Sequence, residues 1–458
     1  MVYFIGIGGI GMSAAARYFH HAGHRVGGYD RTPSELTAEL ESEGMEIHYD
    51  DNPAHIPAHF RVPETLVVYT PAVPADCAEL AFFRSAGNRI LKRSAMLGLI
   101  TSGKRTLAVA GTHGKTTTST LLAHLLTEAG KGCTAFLGGI SKNCGSNLIL
   151  SGDEPLVAEA DEYDRSFLQL HPHVAVVTAA DADHLDVYGT ESEMKSAFGE
   201  FAGQIDPDGL LILRKGVEFP TDKVRCRTLS YALDDPAADF RAANITEEEG
   251  GRFRFDLHAP EFVLEACTLG MPGLVNVENA VAAVAAATVS DVGREDGERL
   301  RAALASFAGV ARRFDVRLNT PRRVLIDDYA HHPAELRAAI LSVRRMFPER
   351  KITGIFQPHL YTRTRDFADG FAESLALLDA LILLDIYPAR ELPIEGVSSK
   401  MILDRTNMTS KTLCAKDELL DLVRDADTDV LITLGAGDID RLVEPLNVML
   451  QSTCSRKQ

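Results

Sequence analysis

Through the first hundred residues, short apolar runs alternate with helix-like stretches: VYFIGIG, then GMSAAARYFHHAG, then HRVGGYD, and later TLVVYTPAV. Apolar runs that stop at glycine and lead into amphipathic segments mark parallel β-α-β units. A second series begins at RTLAVAG, predicts a helix over 115–129, and continues through PLVAEAD, HVAVVTAA and GLLILRKG. From about 228 to 269 the period changes. There FRAANITEEEGGRFRFDLHAPEFVLEACTLG alternates polar and apolar positions around glycine turns and predicts antiparallel strands. NVENAVAAVAAATVSDVG and GERLRAALASFAG then read as helices. A third series runs from RRVLIDDYA through KITGIFQPH, LDALILLDIYP and DVLITLGAGDID. The pattern predicts an α/β chain of three domains in tandem, 1–103, 104–313 and 314–458.

Composition narrows what such a chain binds. Its 458 residues include 47 basic and 64 acidic side chains, a net charge of −17. That balance argues against a general binder of nucleic acid or of anionic membranes. An anionic ligand then depends on helix N-termini and on a few placed Lys or Arg side chains. No apolar run reaches the roughly 18 residues of a membrane span. The start, MVYFIGIGGIGM, goes straight into a strand and a turn. The expectation is a cytoplasmic protein without membrane insertion. Seven scattered cysteines with no CxxC spacing read as reduced thiols, not as a disulfide framework or a zinc site.

Two glycine loops carry the first chemistry. Gly6, Gly8 and Gly11 fit GxGxxG between a strand and a helix, and Asp30 closes the next strand. Such a turn lets backbone N–H groups approach a pyrophosphate, with the acid placed for a ribose hydroxyl. Taken alone the motif points to NAD, and a tight turn with no ligand gives the same string. The second loop is GTHGKT, where Gly111, Gly114, Lys115 and Thr116 follow the strand TLAVA and open a helix. A phosphate loop needs its Lys there for the β- and γ-phosphates and its hydroxyl for magnesium. It is a shortened variant, because Val109 stands where the longer pattern has its first glycine. Two such loops in separate α/β units imply two phosphate-bearing ligands, which is unlike a dehydrogenase.

Further polar groups fall at strand ends. Glu159, Asp161, Glu162 and Asp164 follow one strand, and Asp181, Asp183, His184 and Asp186 follow another. Placed beside a phosphate loop, such groups can complete the shell of a hard, oxygen-preferring ion, although an acidic run is also what a solvated loop looks like. In the last third stand Arg312 and Arg313, then Asp327, Asp328, Tyr329, His331 and His332, then Gln357, His359, Tyr361, Arg363 and Arg365. Arginines there can hold carboxylates or a transferring phosphoryl group, or can be surface charges at a helix start. His331 and His332, just before a proline, read as turn residues or as a base.

The ordered set GIGGIGMS, GTHGKTTT, AEADEYDRSF, DADHLD, NVENA, ARRFD, DDYAHHP, QPHLYTRTRD and DIYPARE closely resembles the Mur ligases of peptidoglycan synthesis, from about Phe4 to Asp440. The resemblance implies an N-terminal Rossmann-like domain for UDP, a central P-loop ATPase domain and a C-terminal Rossmann-like domain that helps bind an amino acid. Gly8, Gly9, Ile10, Gly11, Met12 and Ser13, with Asp30, would hold UDP-N-acetylmuramate. Gly111, Thr112, His113, Gly114, Lys115, Thr116 and Thr117 would hold ATP, with Asn276 and Asn279 near the adenine and Arg313 and Asp328 near phosphate and ribose. Thr116 and Glu159 would bind one Mg2+ and His184 a second. Tyr329, His331, His359, Arg363 and Arg365 would handle the muramoyl carboxylate and L-alanine. The catalytic set so implied is Lys115, His184, Arg313, Asp328, His331 and Arg363, acting through an acyl phosphate in ATP-dependent amide formation. Val275, Ala179 and Ala95 depart from the family's pattern, at positions that concern adenine and domain contacts.

Within the family, a murein-tripeptide recycling ligase is the nearest alternative. Folate polyglutamate ligases resemble only the later domains. A non-catalytic nucleotide-binding module is disfavoured by Lys115, Thr116, Glu159 and His184 standing together, and an NAD-linked oxidoreductase rests on GxGxxG and Asp30 alone.

Overall fold

The structure, a computed structural model, describes residues 1–181, 185–290, 292–389, 391–426 and 428–455. Three sheets carry it. The first runs Glu46–His48, Val26–Tyr29, Val2–Ile5, Leu66–Tyr69, Ile90–Lys92, with every neighbour parallel. The chain winds to one side of Val2–Ile5 and then to the other. The carboxyl end of that strand is therefore a switch point, where doubly wound sheets leave a crevice for ligand. Gly6, Gly8 and Gly9 follow it directly.

The second sheet has ten strands. From Arg227–Leu233 through Leu210–Arg214, Val174–Val177, Thr106–Ala110 and Leu156–Ala160 to Thr134–Ser141, neighbours are parallel. TLAVA and VAVV are buried at every position, as strands covered by helices on both faces must be. Helix Lys115–Glu128 is buried continuously from Thr116 to Leu126. Helix Leu274–Thr288, rich in Ala and Val, is buried from Ala280 to Ala287. A helix apolar on all sides belongs inside a protein. Phe198 and Phe201 of helix Glu191–Ala202 pack on Phe167 with ring centroids 5.3 and 5.0 Å away. Burial of each such ring contributes about 2–3 kcal/mol. Phe240–Glu247, Phe253–His258 and Val263–Thr268 pair antiparallel, as their alternation predicts. Arg227–Leu233 differs: it extends the parallel core beside Leu210–Arg214 and meets Phe240–Glu247 in parallel, after a turn at Asp234 with φ 43°.

The third sheet runs Asp315–Asn319, Val324–Asp328, Val430–Leu434, Ile352–Phe356, Ala380–Leu383, Lys411–Leu413. Its first pair is antiparallel and the rest parallel. One apolar cluster gathers Ile340, Val343, Phe371 and Leu375, and a second gathers Leu419, Val423, Leu446 and Leu450.

The chain forms two compact units. Met1–Glu247, Arg252–Met271 and Val275–Gly309 make the first, with the first two sheets. Glu248–Gly251, Pro272–Leu274 and the chain from Val310 make the second, with the third sheet. Among the described residues, no helix is long and apolar enough to cross a membrane.

Candidate active site

The N-terminal loop is shaped by its glycines and braced by Asp30. Gly6 has φ +85°, a conformation that costs glycine little. A Cβ on Gly8 would lie 2.7 Å from the Thr37 Cγ2 and 2.9 Å from an Asp30 oxygen. That closeness lets the Gly8 N–H donate to Asp30 Oδ2 at 2.8 Å, while the Thr32 N–H reaches Oδ1 at 3.2 Å. Asp30, which the motif assigns to a ribose, thus fastens its own loop. Gly9 caps helix Ile10–His21 with no side-chain cap, so the N-terminal N–H groups of that helix form an anion-favouring end. Met12 is buried, whereas Ile10 is exposed. The Ser13 hydroxyl donates to the Ile10 carbonyl at 3.0 Å and accepts from Asn147 Nδ2 at 2.8 Å. Asn147, on strand Ser146–Leu150 of the second sheet, also donates to the Ile10 carbonyl and accepts from Arg17 at 2.7 Å. Arg93 opens helix Arg93–Thr101, and its Nη1 would lie 2.7 Å from a Cβ on Gly11. Sequence reading missed Asn147 and Arg93. Neither sits in the glycine string, and only KRSAML, a basic pair between a strand and a helix, hinted at Arg93.

The second loop sits between strand Thr106–Ala110 and helix Lys115–Glu128. Gly111 has φ +131°, and a Cβ there would overlap the Thr178 hydroxyl at 2.1 Å. Gly114 has φ +80°, with Asn279 Oδ1 2.7 Å from where its Cβ would be. The carboxamide of Asn279 therefore lies against the loop and donates to Asn276 Oδ1 at 3.2 Å. Thr178 donates to the carbonyls of Ala110 and His113, and the Thr112 N–H donates to the Ala179 carbonyl at 3.2 Å. The His113 ring lies 3.7 Å from Asp181. Thr112 and Thr117 are buried.

Lys115 Nζ donates to the Gly111 carbonyl at 2.7 Å and to Glu162 at 2.8 Å. Burial pulls the Lys115 ammonium down, but Glu162, Asp161 and Glu159 outweigh it and hold the group above its ordinary range. The Thr116 hydroxyl donates to Glu159 Oε1 at 3.2 Å, and the Gly138 N–H donates to Oε2 at 3.1 Å. A hydroxyl and a carboxylate are hard oxygen donors, and Mg2+ takes one or two protein oxygens while keeping several waters. Thr116 and Glu159 fit that ion. His184 lies outside the described residues.

In the second compact unit, Asp328 ends strand Val324–Asp328 and is tied by its Oδ2 to the Phe314 N–H at 2.7 Å and by its Oδ1 to the Ala330 N–H at 2.8 Å. Burial pushes its carboxyl up to about 6, against the pull of Arg313 and those two N–H groups. Tyr329 receives two guanidinium groups, Arg312 at 5.0 Å and Arg313 at 4.9 Å from its ring centroid. Arg312, with φ 63°, also donates to the Gly435 carbonyl at 2.6 Å. His331 Nδ1 lies 3.1 Å from the Tyr329 carbonyl and 3.3 Å from Glu335, and its ring meets that of His359 edge-on at 6.2 Å. His359 in turn stacks on Tyr387 at 5.8 Å. His332 takes the turn role: it caps helix Pro333–Met346, with Glu335 closing the box. Arg363 is half-buried in the first turn of helix Tyr361–Leu375, which opens at Leu360 with φ 70°. Arg365 is exposed and pairs with its neighbour Asp366 at 2.7 Å.

Doubly wound sheets, a phosphate loop with its Lys held by acids, and a hydroxyl–carboxylate pair beside it define a nucleotide-handling α/β protein. Family models place it further: residues 1–105 match the Mur ligase family, catalytic domain, 109–287 the Mur ligase middle domain, and 312–437 the Mur ligase, glutamate ligase domain. The chain is 55% identical over 98% of its length to the UDP-N-acetylmuramate–L-alanine ligase of Parabacteroides distasonis, covering 97% of that protein. It is 53% identical over 99% of its length to that of Porphyromonas gingivalis, covering 99% of it. Among solved structures, UDP-N-acetylmuramate-alanine ligase from Thermotoga maritima superposes with a TM-score of 0.82 at 28% identity over 99% of each chain. A murein peptide ligase from Psychrobacter arcticus shares the fold, with a TM-score of 0.73 at 22% identity over 98% of each chain. The chain belongs to the Mur ligase family.

Proposed function

We propose that this chain is an ATP-dependent amide ligase that joins L-alanine to the lactoyl carboxylate of UDP-N-acetylmuramate in peptidoglycan precursor synthesis. The observation that carries the reading is the Lys115 loop, with its ammonium between the Gly111 carbonyl and Glu162, in a chain that matches ligases of that name along nearly its whole length.

A carboxylate is a poor electrophile, so it first attacks the γ-phosphorus of ATP and ADP leaves. The alanine amine then attacks the acyl carbon of the resulting acyl phosphate. The tetrahedral intermediate expels phosphate, which keeps one of the carboxylate's oxygens, and the amine loses a proton. Lys115 neutralises charge on the transferring group, and the loop N–H groups orient it. Mg2+, held by Thr116 and Glu159 with His184 assigned to a second ion, supplies further charge neutralisation when bound. Asn276 and Asn279, beside Gly114, are assigned to the adenine side, and Arg313 and Asp328 to the nucleotide. Tyr329, His331, His359, Arg363 and Arg365 are the groups for the muramoyl carboxylate and the amino acid. Domain boundaries at 103 and 313 and a cytoplasmic setting belong to the same reading.

The test is a heavy-oxygen label in the lactoyl carboxylate. Transfer of label into the released phosphate supports the acyl phosphate. Release of unlabelled phosphate alongside labelled amide product would exclude it.

A further inference from the structure

Whatever anion the first glycine loop takes, the loop brings little charge of its own. Residues 6–13 contain no Lys or Arg, and the whole chain carries −17. A helix end supplies only about half an elementary charge, while a diphosphate diester carries about two negative charges and favours a guanidinium fork. The Arg93 Nη1 is a cationic atom set against this loop, placed where a Cβ on Gly11 would come within 2.7 Å. Its Nη2 meets Asp161 Oδ2 at 3.2 Å, with both side chains partly open to solvent. A single, partly solvent-exposed contact of that kind is modest in strength and exchangeable. Asp161 immediately precedes Glu162, the partner of Lys115 at the other loop.

We propose that Arg93 binds the diphosphate of the UDP-sugar, and that Asp161 competes with the diphosphate for it. The proposal rests on the reading of residues 8–13 as the UDP-sugar loop. Arg93 exchanges one carboxylate contact for a two-pronged phosphate contact. The exchange draws it from the acidic run that faces Lys115, so occupancy of the first loop is felt at the second.

The test is calorimetric titration of UDP-N-acetylmuramate, without ATP, into the wild type and three variants. Arg93→Ala is expected to weaken binding roughly 10- to 100-fold, as loss of a charge-assisted pair does. Arg93→Lys falls between, because a lysine keeps the charge and loses the fork. Asp161→Asn, which frees Arg93, is expected to tighten binding roughly threefold. A damaged fold does not produce a gain, so the Asn variant separates recognition from misfolding. Unchanged affinity in Arg93→Ala, or weaker binding in Asp161→Asn, overturns the proposal while leaving the loop's ligand in place. A wild type that binds no UDP-N-acetylmuramate overturns the reading of the loop itself.

Discussion

The Lys115 ammonium and the Glu162 carboxylate lie 2.8 Å apart, with Glu162 only 1% exposed. Tyr188 fixes the acid from behind, donating its hydroxyl to the Glu162 carbonyl at 2.6 Å. Removing one member of a buried pair leaves the other charged and uncompensated, a loss of roughly 3 kcal/mol. Lys115→Met is therefore expected to lower stability by about that amount and to abolish phosphate release. Adding Glu162→Gln is expected to recover much of the stability and none of the activity. Urea unfolding with a phosphate assay reads both, and equal stability of the single variant and the wild type would contradict the account.

Gly138 matters through the carboxylate it touches. Its N–H holds Glu159 Oε2, and a Cβ there would lie 2.2 Å from that oxygen. Gly138→Ala is expected to turn the Glu159 carboxylate away from Thr116 and to raise the magnesium concentration for half-maximal activity by about 10-fold, the usual cost of disturbing a ligand's support. Magnesium titration at saturating ATP checks it. An unchanged requirement would remove Glu159 from the metal's shell.

A buried cluster between the first sheet and helix Ala78–Ser85 gives a pH signature. The Tyr3 hydroxyl lies 2.8 Å from Glu79 and 2.8 Å from His48, and Glu79 is fully buried. Burial, with a smaller push from Asp51, raises the Glu79 carboxyl to about 8. The folded chain then binds a proton there that the unfolded chain has released, so stability falls as pH rises through the window from about 4.5 to about 8. Glu79→Gln, a neutral mimic of the protonated acid, is expected to flatten that slope and to be the more stable form at pH 8 by an amount on the order of 3 kcal/mol. Parallel slopes for the two proteins would refute this.

The two arginines of helix Tyr361–Leu375 are expected to differ. Arg363→Ala is expected to raise the KM for L-alanine or for UDP-N-acetylmuramate roughly 10-fold or more, as loss of a charged hydrogen bond does, with the ATP KM preserved. Arg365, exposed and paired with Asp366, is expected to matter less. Steady-state kinetics with each substrate varied in turn decides, and an unchanged profile for Arg363→Ala would return it to surface charge.

Legibility followed distance along the chain. Lys115, Thr116 and Glu159 could be read because each stands at the end of an apolar run, where a parallel sheet delivers its strand ends to one side. Tyr329, His331 and His359 could be gathered for the same reason, and their rings do meet. What could not be read was partner choice across the fold. Asn147 reaches Ser13 over 134 positions, and Arg93 reaches Asp161 over 68. Asp30 was legible as an acid at a strand end, but its bond to Gly8 depends on the loop closing back on it. Arg227–Leu233 carries alternation suited to either direction of pairing, and its neighbours decided for parallel.

The central claim is amide formation with L-alanine. The most direct measurement is phosphate release with ATP, magnesium and UDP-N-acetylmuramate, adding L-alanine, glycine, L-serine, D-glutamate and a murein tripeptide in turn. Release is expected chiefly with L-alanine, with a product heavier by a single alanine residue. Release driven by the tripeptide or by D-glutamate, or none with any acceptor, would contradict it.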